Sequence, residues 1–442
     1  MITKIRFKFE LLFYYLKRNW IYLLSGLIVG ILVTIFRQQL FAFYSKINQS
    51  ANKIGLEGQY TINSLPTDIS NKISYGLTIS SENGKFETSP IVKNLDIRQD
   101  NTEYLFELNS DIKWHKSGKE LVANDINYKI PGLTISSSDS KHLIIHTDKA
   151  FAPILSTLGL PLIKKNFDSL GQYQVTKYSY QDGYLKELKL KSPENSINYR
   201  FYQNENDLLN AFKIGEVNQI ETNSIPNNFN EWPKIDITKN IRTDQRYIAL
   251  FINTVKINSK QLRQALAYAT PKTDDLNERT LSPISPGSWA YNSNVKDYAF
   301  NPTKAKEFFL KNKIESIDLI YNDRRLIDIA ENIKKNWEEI LGIKVNAHVD
   351  TQIDTQNYDV ILAYGSIPVD PDQYLFWHST QTKTNLTKIN NPRIDKLLEE
   401  GRQTFDQQER KKVYQEFQKI LLEECPAIFL KYPTLYTITR IN

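Results

Sequence analysis

The sequence holds a single cysteine, Cys425, so no disulfide can form within the chain. A domain outside the cytoplasm would therefore have to stand on burial alone. There is one methionine, and the 16 glycines in 442 residues form no phosphate-cradling loop. HExxH and GxSxG are both missing, so two common hydrolase chemistries lack their motifs. The five histidines (His115, His142, His146, His348, His378) are scattered without metal-ligand spacing. His142 and His146 are four apart, but KHLIIHTD reads as a strand, where such positions lie ~13 Å from each other. Cys425 precedes Pro426 beside an apolar run and reads as a buried, inert thiol. The carboxylate pairs Glu338–Glu339 and Glu423–Glu424 read as solvated helix faces. No enzymatic activity, metal or cofactor is expected.

A strong charge bias is also missing. Of the net +6, residues 1–18 carry +4 (Lys4, Arg6, Lys8, Lys17 and Arg18 against Glu10) and residues 19–36 carry none. The remaining +2 is too little for a nucleic-acid surface, and no basic stripe appears. Aromatics, in contrast, are abundant, with 25 Tyr, 21 Phe and 6 Trp, and most are expected in the core.

Trp20 to Phe36, WIYLLSGLIVGILVTIF, is a run of 17 residues without a charge. As a helix it spans about 26 Å, the short end of a membrane crossing. The basic residues before it place the N-terminus in the cytoplasm and the ~400 residues after it outside. The run meets FRQQLFAFYSKI, with neither a small-x-small cleavage site nor a cysteine to carry a lipid, so an uncleaved anchor is expected. The expected organisation is a cytoplasmic basic segment (1–18), a transmembrane anchor (19–37) and a stalk (38–55), then a folded region.

In the folded region strand-like and helix-like segments alternate, the mark of an α/β architecture. NTEYLFELN (101–109) and YLKELKLK (184–191) alternate apolar with polar as half-buried strands do. Leu208, Leu209 and Phe212 share a helical face that Gly215 closes. YIALFIN, from Tyr247, is apolar throughout, as expected of a strand covered on both sides. A helix with Leu262, Ala265, Leu266 and Ala269 on one face follows, stopped by Pro271. NPTKAKEFF starts another, with Asn301 as cap and Pro302 in the first turn. Leu326 to Leu341 is a third, ended by Gly342, and IKVNAHV and YDVILAY follow as strands. Helices near 393–402 and 409–424 precede a final strand pair, AIFLKYPTLYTIT.

The order of these segments resembles the extracytoplasmic solute-binding proteins of family 5, the binding proteins of oligopeptide, dipeptide and nickel ABC importers. The resemblance runs from about Leu65 to Tyr436. Its segments include LPTDISNKISYGLT, YLFELNSDIKWHKSGKELVANDINY, RYIALFINT with QLRQALAYA, SPISPGSWAYN, NPTKAKEFF, ENIKKNWEEILGIKV and the stretch from NNPRIDKLL to AIFLKYP. It implies a two-lobed periplasmic-binding-protein-like fold (type II, cluster C), here behind an N-terminal transmembrane helix. Lobe 1 would hold 56–245, completed by 425–442, and lobe 2 would hold 246–424, with the hinge near Arg246 and Tyr432. The chain departs from the family between Asp125 and Leu155, which is compressed, in SLGQY near residue 170, and soon after Tyr436, where it stops.

The corner YDVILAYGSIPVDPDQYLFW would then be a cleft loop. In peptide-binding relatives an aspartate three residues before the D-P pair holds the ligand's amino group. Here Ile367 occupies that position, the family's aromatic falls on Tyr364, and the pair is Asp370–Pro371. A ligand should then show little preference for a free N-terminus, unless Asp370 or Asp372 takes over. The resemblance implies a binding set of Tyr364, Ile367, Asp370, Asp372 and Trp377 from this corner, with Tyr75, Arg246, Asn253, Trp289 and Tyr432 from elsewhere. The expected partners are a small-molecule or peptide ligand, an ABC permease and the membrane, without nucleic acid, for a monomeric protein. The alternative is a sensory or scaffolding ectodomain with a partly filled cleft. A hydrolase would need a nucleophile and base that the sequence does not offer.

Overall fold

A computed structural model describes residues 19–20, 52–81, 84–227, 229–350 and 357–441. The run expected to cross the membrane lies, apart from Trp20, outside the described residues. Among the described residues no helix is long and apolar enough to span a bilayer.

The first lobe is built on a seven-stranded sheet. Its order is Ile235–Ile241, Thr434–Arg440, Gln219–Thr222, Asn52–Glu57, Ser196–Tyr202, Tyr184–Lys191 and Gln174–Gln181. Asn52–Glu57 is the central strand, parallel to both of its neighbours. Helix Glu205–Lys213 lies on one face, its first turn closed by the Asn204 side chain, which accepts from the Asp207 amide at 3.0 Å. The helix approaches so closely that a Cβ on Gly55 would meet the Leu208 side chain at 2.6 Å. Period-two alternation then sends Ile54, Leu56, Gln219 and Glu221 to the opposite face, which is the floor of the cleft described below.

A smaller four-stranded sheet, in the order Val92–Arg98, Glu103–Leu108, His142–Thr147 and Leu133–Ser137, completes this lobe. It has its own core around Tyr104, Phe106 and Trp114. The second lobe is a five-stranded sheet, ordered Lys344–Val349, Ser316–Tyr321, Val360–Ser366, Arg246–Ile252 and Ala427–Lys431. Helices Lys260–Ala269, Pro302–Phe309 and Ile327–Leu341 cover one face, around a fully buried Trp337. Helices Pro392–Gln403 and Gln407–Glu424 cover the other, around Tyr414 and Phe417. Coverage on both faces is why Tyr247–Ile252 is apolar at every position.

Two expectations about boundaries change. Residues 52–55, expected in the stalk, form most of the first lobe's central strand. The segment AIFLKYPTLYTIT is not a strand pair. Ala427–Lys431 still pairs with Arg246–Ile252 in the second sheet, whereas Thr434–Arg440 pairs in the first. The chain therefore returns to lobe 1 at Tyr432–Pro433 and not at residue 425. Pro433, which lacks an N–H, sits where a continuous ladder would otherwise form. The outward crossing runs from Ile241 to Arg246, and the Arg242 amide donates to the Pro433 carbonyl at 3.0 Å, tying the two crossings together. Cys425 is fully buried in a left-handed helix cap (φ 51°), and burial pushes its thiol up to about 11.

Deleting residues 1–50 leaves the central strand intact and should give a cooperatively folding protein. Deleting residues 1–57 removes that strand and should abolish folding. Thermal unfolding followed by circular dichroism checks both, and a shared cooperative transition would show that Asn52–Glu57 is dispensable.

Candidate functional site

The cleft lies where both lobes meet the crossings. It is a cavity of about 510 Å³, within the ~300–1,000 Å³ range of small-molecule sites. Ile54, Leu56, Ile197 and Tyr199 give it an apolar floor from the first sheet, and helix Thr67–Ile73 forms one wall. Arg242, Gln245, Arg246 and Pro433 line it at the crossings, and Arg325 enters from lobe 2.

Most of its charges are matched by the protein. The Arg325 guanidinium forks onto Asp323, with Nη2 at 2.6 Å and Nε at 3.0 Å, and reaches across to Glu57 of lobe 1 at 3.6 Å. Burial alone would lift the Asp323 carboxyl, but the Arg325 hydrogen bonds bring it below the usual carboxylate range. Asp68 accepts from Gln245 at 3.0 Å and from Arg242 at 3.4 Å. Arg246 lies 4.3 Å over the Tyr364 ring, a cation–π contact. Glu221 projects from the sheet floor, and burial pushes its carboxyl up, with Asp68 adding to the shift and Arg242 and Lys72 opposing it.

The corner after Tyr364 is organised differently from its expected role. Asp370 is buried and takes a two-pronged ion pair from Arg410, at 2.7 and 2.6 Å. Asp372 holds Arg402 in the same manner, at 2.8 to 3.2 Å. Arg402 in turn lies 3.8 Å over Tyr374, and its backbone carbonyl accepts from the Ala152 amide of lobe 1 at 2.7 Å. Neither aspartate is free for a ligand amine. The Ile367 amide donates to the Gln245 carbonyl at 2.9 Å, and its side chain packs on the second core. Trp377 is fully buried in that core, its indole N–H donating to Gln373 at 3.1 Å.

Of the expected binding residues, the structure brings Arg246 and Tyr364 to the cleft. Trp289 packs edge-on against Tyr414 and faces Gly84 of lobe 1, beside the antiparallel strands Thr78–Ser80 and Phe86–Thr88, and a Cβ on Gly84 would meet its indole at 2.7 Å. Asn253 is buried and donates to the Tyr358 carbonyl at 2.9 Å, so it anchors a strand end. Tyr432 is buried at the return crossing, and Tyr75 packs on the small core of lobe 1. Sequence reasoning missed Glu57, Asp68, Glu221, Asp323 and Arg325. Only the alternation of Gln219 and Glu221 in QIET hinted at any of them, and it resembles an ordinary solvated strand face.

Two lobes joined by two crossings, with a charged cavity beside them, define a two-lobed α/β protein of the periplasmic-binding type. The family model for "Bacterial extracellular solute-binding proteins, family 5 Middle" matches residues 164–386, and the chain belongs to that family. It is similar to the probable D,D-dipeptide-binding periplasmic protein DdpA of Escherichia coli (strain K12), 26% identical over 256 residues, which are 51% of this chain and 46% of that protein. It is also similar to heme-binding protein A of Haemophilus influenzae, 26% identical over 225 residues, or 44% of this chain and 40% of that one. The matches thus span about half the length of these relatives or less. Among solved structures, NikZ from Campylobacter jejuni in complex with Ni(L-His) aligns with a TM-score of 0.73 and 22% identity, covering 88% of this chain and 94% of that one. AppA from Bacillus subtilis in complex with a nonapeptide aligns with a TM-score of 0.71 and 19% identity, covering 89% and 95%. At these identities the structural likeness establishes the fold.

Replacing Asp370 with alanine strands the Arg410 guanidinium in a buried site and should cost ~3–5 kcal/mol of stability. Asp372→Ala should cost less, because Arg402 retains access to water (side-chain exposure 23%, against 6% for Arg410). Urea unfolding of both variants checks this, and a loss below about 1 kcal/mol for Asp370→Ala would mean that the pair does not hold the corner.

Proposed function

We propose that the chain is a membrane-tethered, extracytoplasmic solute-binding protein that hands a peptide or a similar small solute to an ABC importer. Family membership supports the class. The observation that carries the reading is the cavity of about 510 Å³ lined from both lobes beside the two crossings. A solute there touches both sides of the hinge, so its binding favours the closed arrangement. The protein works by capture, not catalysis. The tether holds the binding domain near the permease and raises its effective concentration there, a gain that needs no new contact.

Mass spectrometry of small molecules that co-purify with the full chain identifies the solute. Small-angle scattering with that solute stripped and restored then tests closure. The radius of gyration should fall on binding. An unchanged radius at saturation would favour a rigid sensory or scaffolding ectodomain instead.

A further inference from the structure

The sheet of the first lobe has a second hollow, on the face turned away from the cleft. Helix Glu205–Lys213 packs on Asn52–Glu57, Ser196–Tyr202 and Gln219–Thr222. Beyond it the sheet runs on for two more strands, Tyr184–Lys191 and Gln174–Gln181. The step between the helix and these outer strands is a cavity of about 730 Å³, against about 510 Å³ for the cleft. The helix gives it one wall, with Asp207, Asn210, Ala211 and Ile214 at i, i+3, i+4 and i+7. The hairpin gives the other. Its pairing shifts between Ser179 and Tyr180, which leaves Lys186 without a partner across the ladder, and Lys186 and Glu187 both line the cavity.

Arg200 and Tyr202 of strand Ser196–Tyr202 supply the floor. Among the described residues eight buried side-chain atoms lack a hydrogen-bond partner in the protein, and three of them belong to this strand. They are Asn198 Oδ1, Arg200 Nε and Tyr202 Oη, at alternate positions and so on one face. The charges there are matched within the protein. Arg200 pairs with Glu216 through Nη1, and Glu187 takes Lys177 at 2.8 Å and the Asn198 amide at 3.0 Å. Burial pushes the Tyr202 hydroxyl up to about 12, with Glu216 adding and Arg200 opposing, so it stays a neutral donor and acceptor. Tyr184 is exposed at the mouth.

We propose that this cavity is a second binding site, for a small neutral molecule rich in hydroxyl groups, such as a mono- or disaccharide. The inference goes beyond the solute-binding reading, because the site lies across the sheet from the cleft. The unmet groups on the floor are a donor at Arg200 Nε and a donor-acceptor at Tyr202 Oη, and a hydroxyl, itself both, satisfies either. A charged ligand would find the floor's ionic groups already paired and would be desolvated without return. The Tyr184 ring offers a flat apolar surface to the C–H face of a sugar. The volume is within the ~300–1,000 Å³ range of small-molecule sites.

Calorimetric titration of the full chain, in a detergent without a sugar headgroup, tests this with maltose, N-acetylglucosamine, myo-inositol, citrate and spermidine. At least one of the three neutral polyols should bind saturably, and neither ion should. Asn210→Trp puts a large ring into the cavity from an exposed helix position and should weaken that binding tenfold or more. The solute that co-purifies in the cleft should keep its affinity for the same variant. Tyr184→Ala should weaken the polyol several-fold, and it decides the matter if Asn210→Trp loses its cooperative thermal transition. Undiminished polyol binding to the deciding variant places the polyol elsewhere and overturns the site, while solute binding stands. Binding of citrate or spermidine that the variant removes overturns the neutral chemistry. Saturation by none of the polyols up to ~20 mM overturns the proposal outright.

Discussion

The buried ion pair between Asp370 and Arg410 fixes the corner on which the site depends. Both side chains are almost fully desolvated, and each supplies the other's missing solvent through two parallel hydrogen bonds. The same constraint recurs across lobe 2. Arg263, buried in helix Lys260–Ala269, donates to the carbonyls of Ile257, Asn258, Glu424 and Cys425 and so ties that helix to the end of Gln407–Glu424. Arg279 donates to the Phe429 carbonyl at 2.8 Å and pairs with Asp297 at 2.7 Å, bracing the last strand before the return crossing. These three buried guanidinium groups are matched by carboxylates or by backbone carbonyls.

The two crossings are anchored on both sides. Glu278 receives the Tyr432 amide on its backbone carbonyl at 2.7 Å, and its carboxylate takes Thr434 at 2.9 Å and Lys239 at 2.8 Å. These contacts frame the two short crossings, between Ile241 and Arg246 and at Tyr432–Pro433. Around the rim, the lobes meet at Arg325 with Glu57, at Arg402 with Ala152, and at Trp289 with the Gly84 turn. Exposed contacts of this kind contribute little individually. They set the geometry in which the lobes meet.

Much of the architecture was legible because it rests on local chemistry. Asn301 caps its helix, Gly342 takes the left-handed conformation that ends Ile327–Leu341, and Leu262, Ala265, Leu266 and Ala269 are all buried. What was illegible depends on where a strand pairs, and periodicity does not encode that. AIFLK and TLYTIT look alike as strands, yet they belong to different sheets. The segment NKIGLE is too short and mixed to announce a central strand, since its context comes from residues 140 or more positions away. The corner aspartates misled for a related reason. A D-P-D sequence records that carboxylates are present, whereas their partners Arg402 and Arg410 come from helices 30 and 40 residues later.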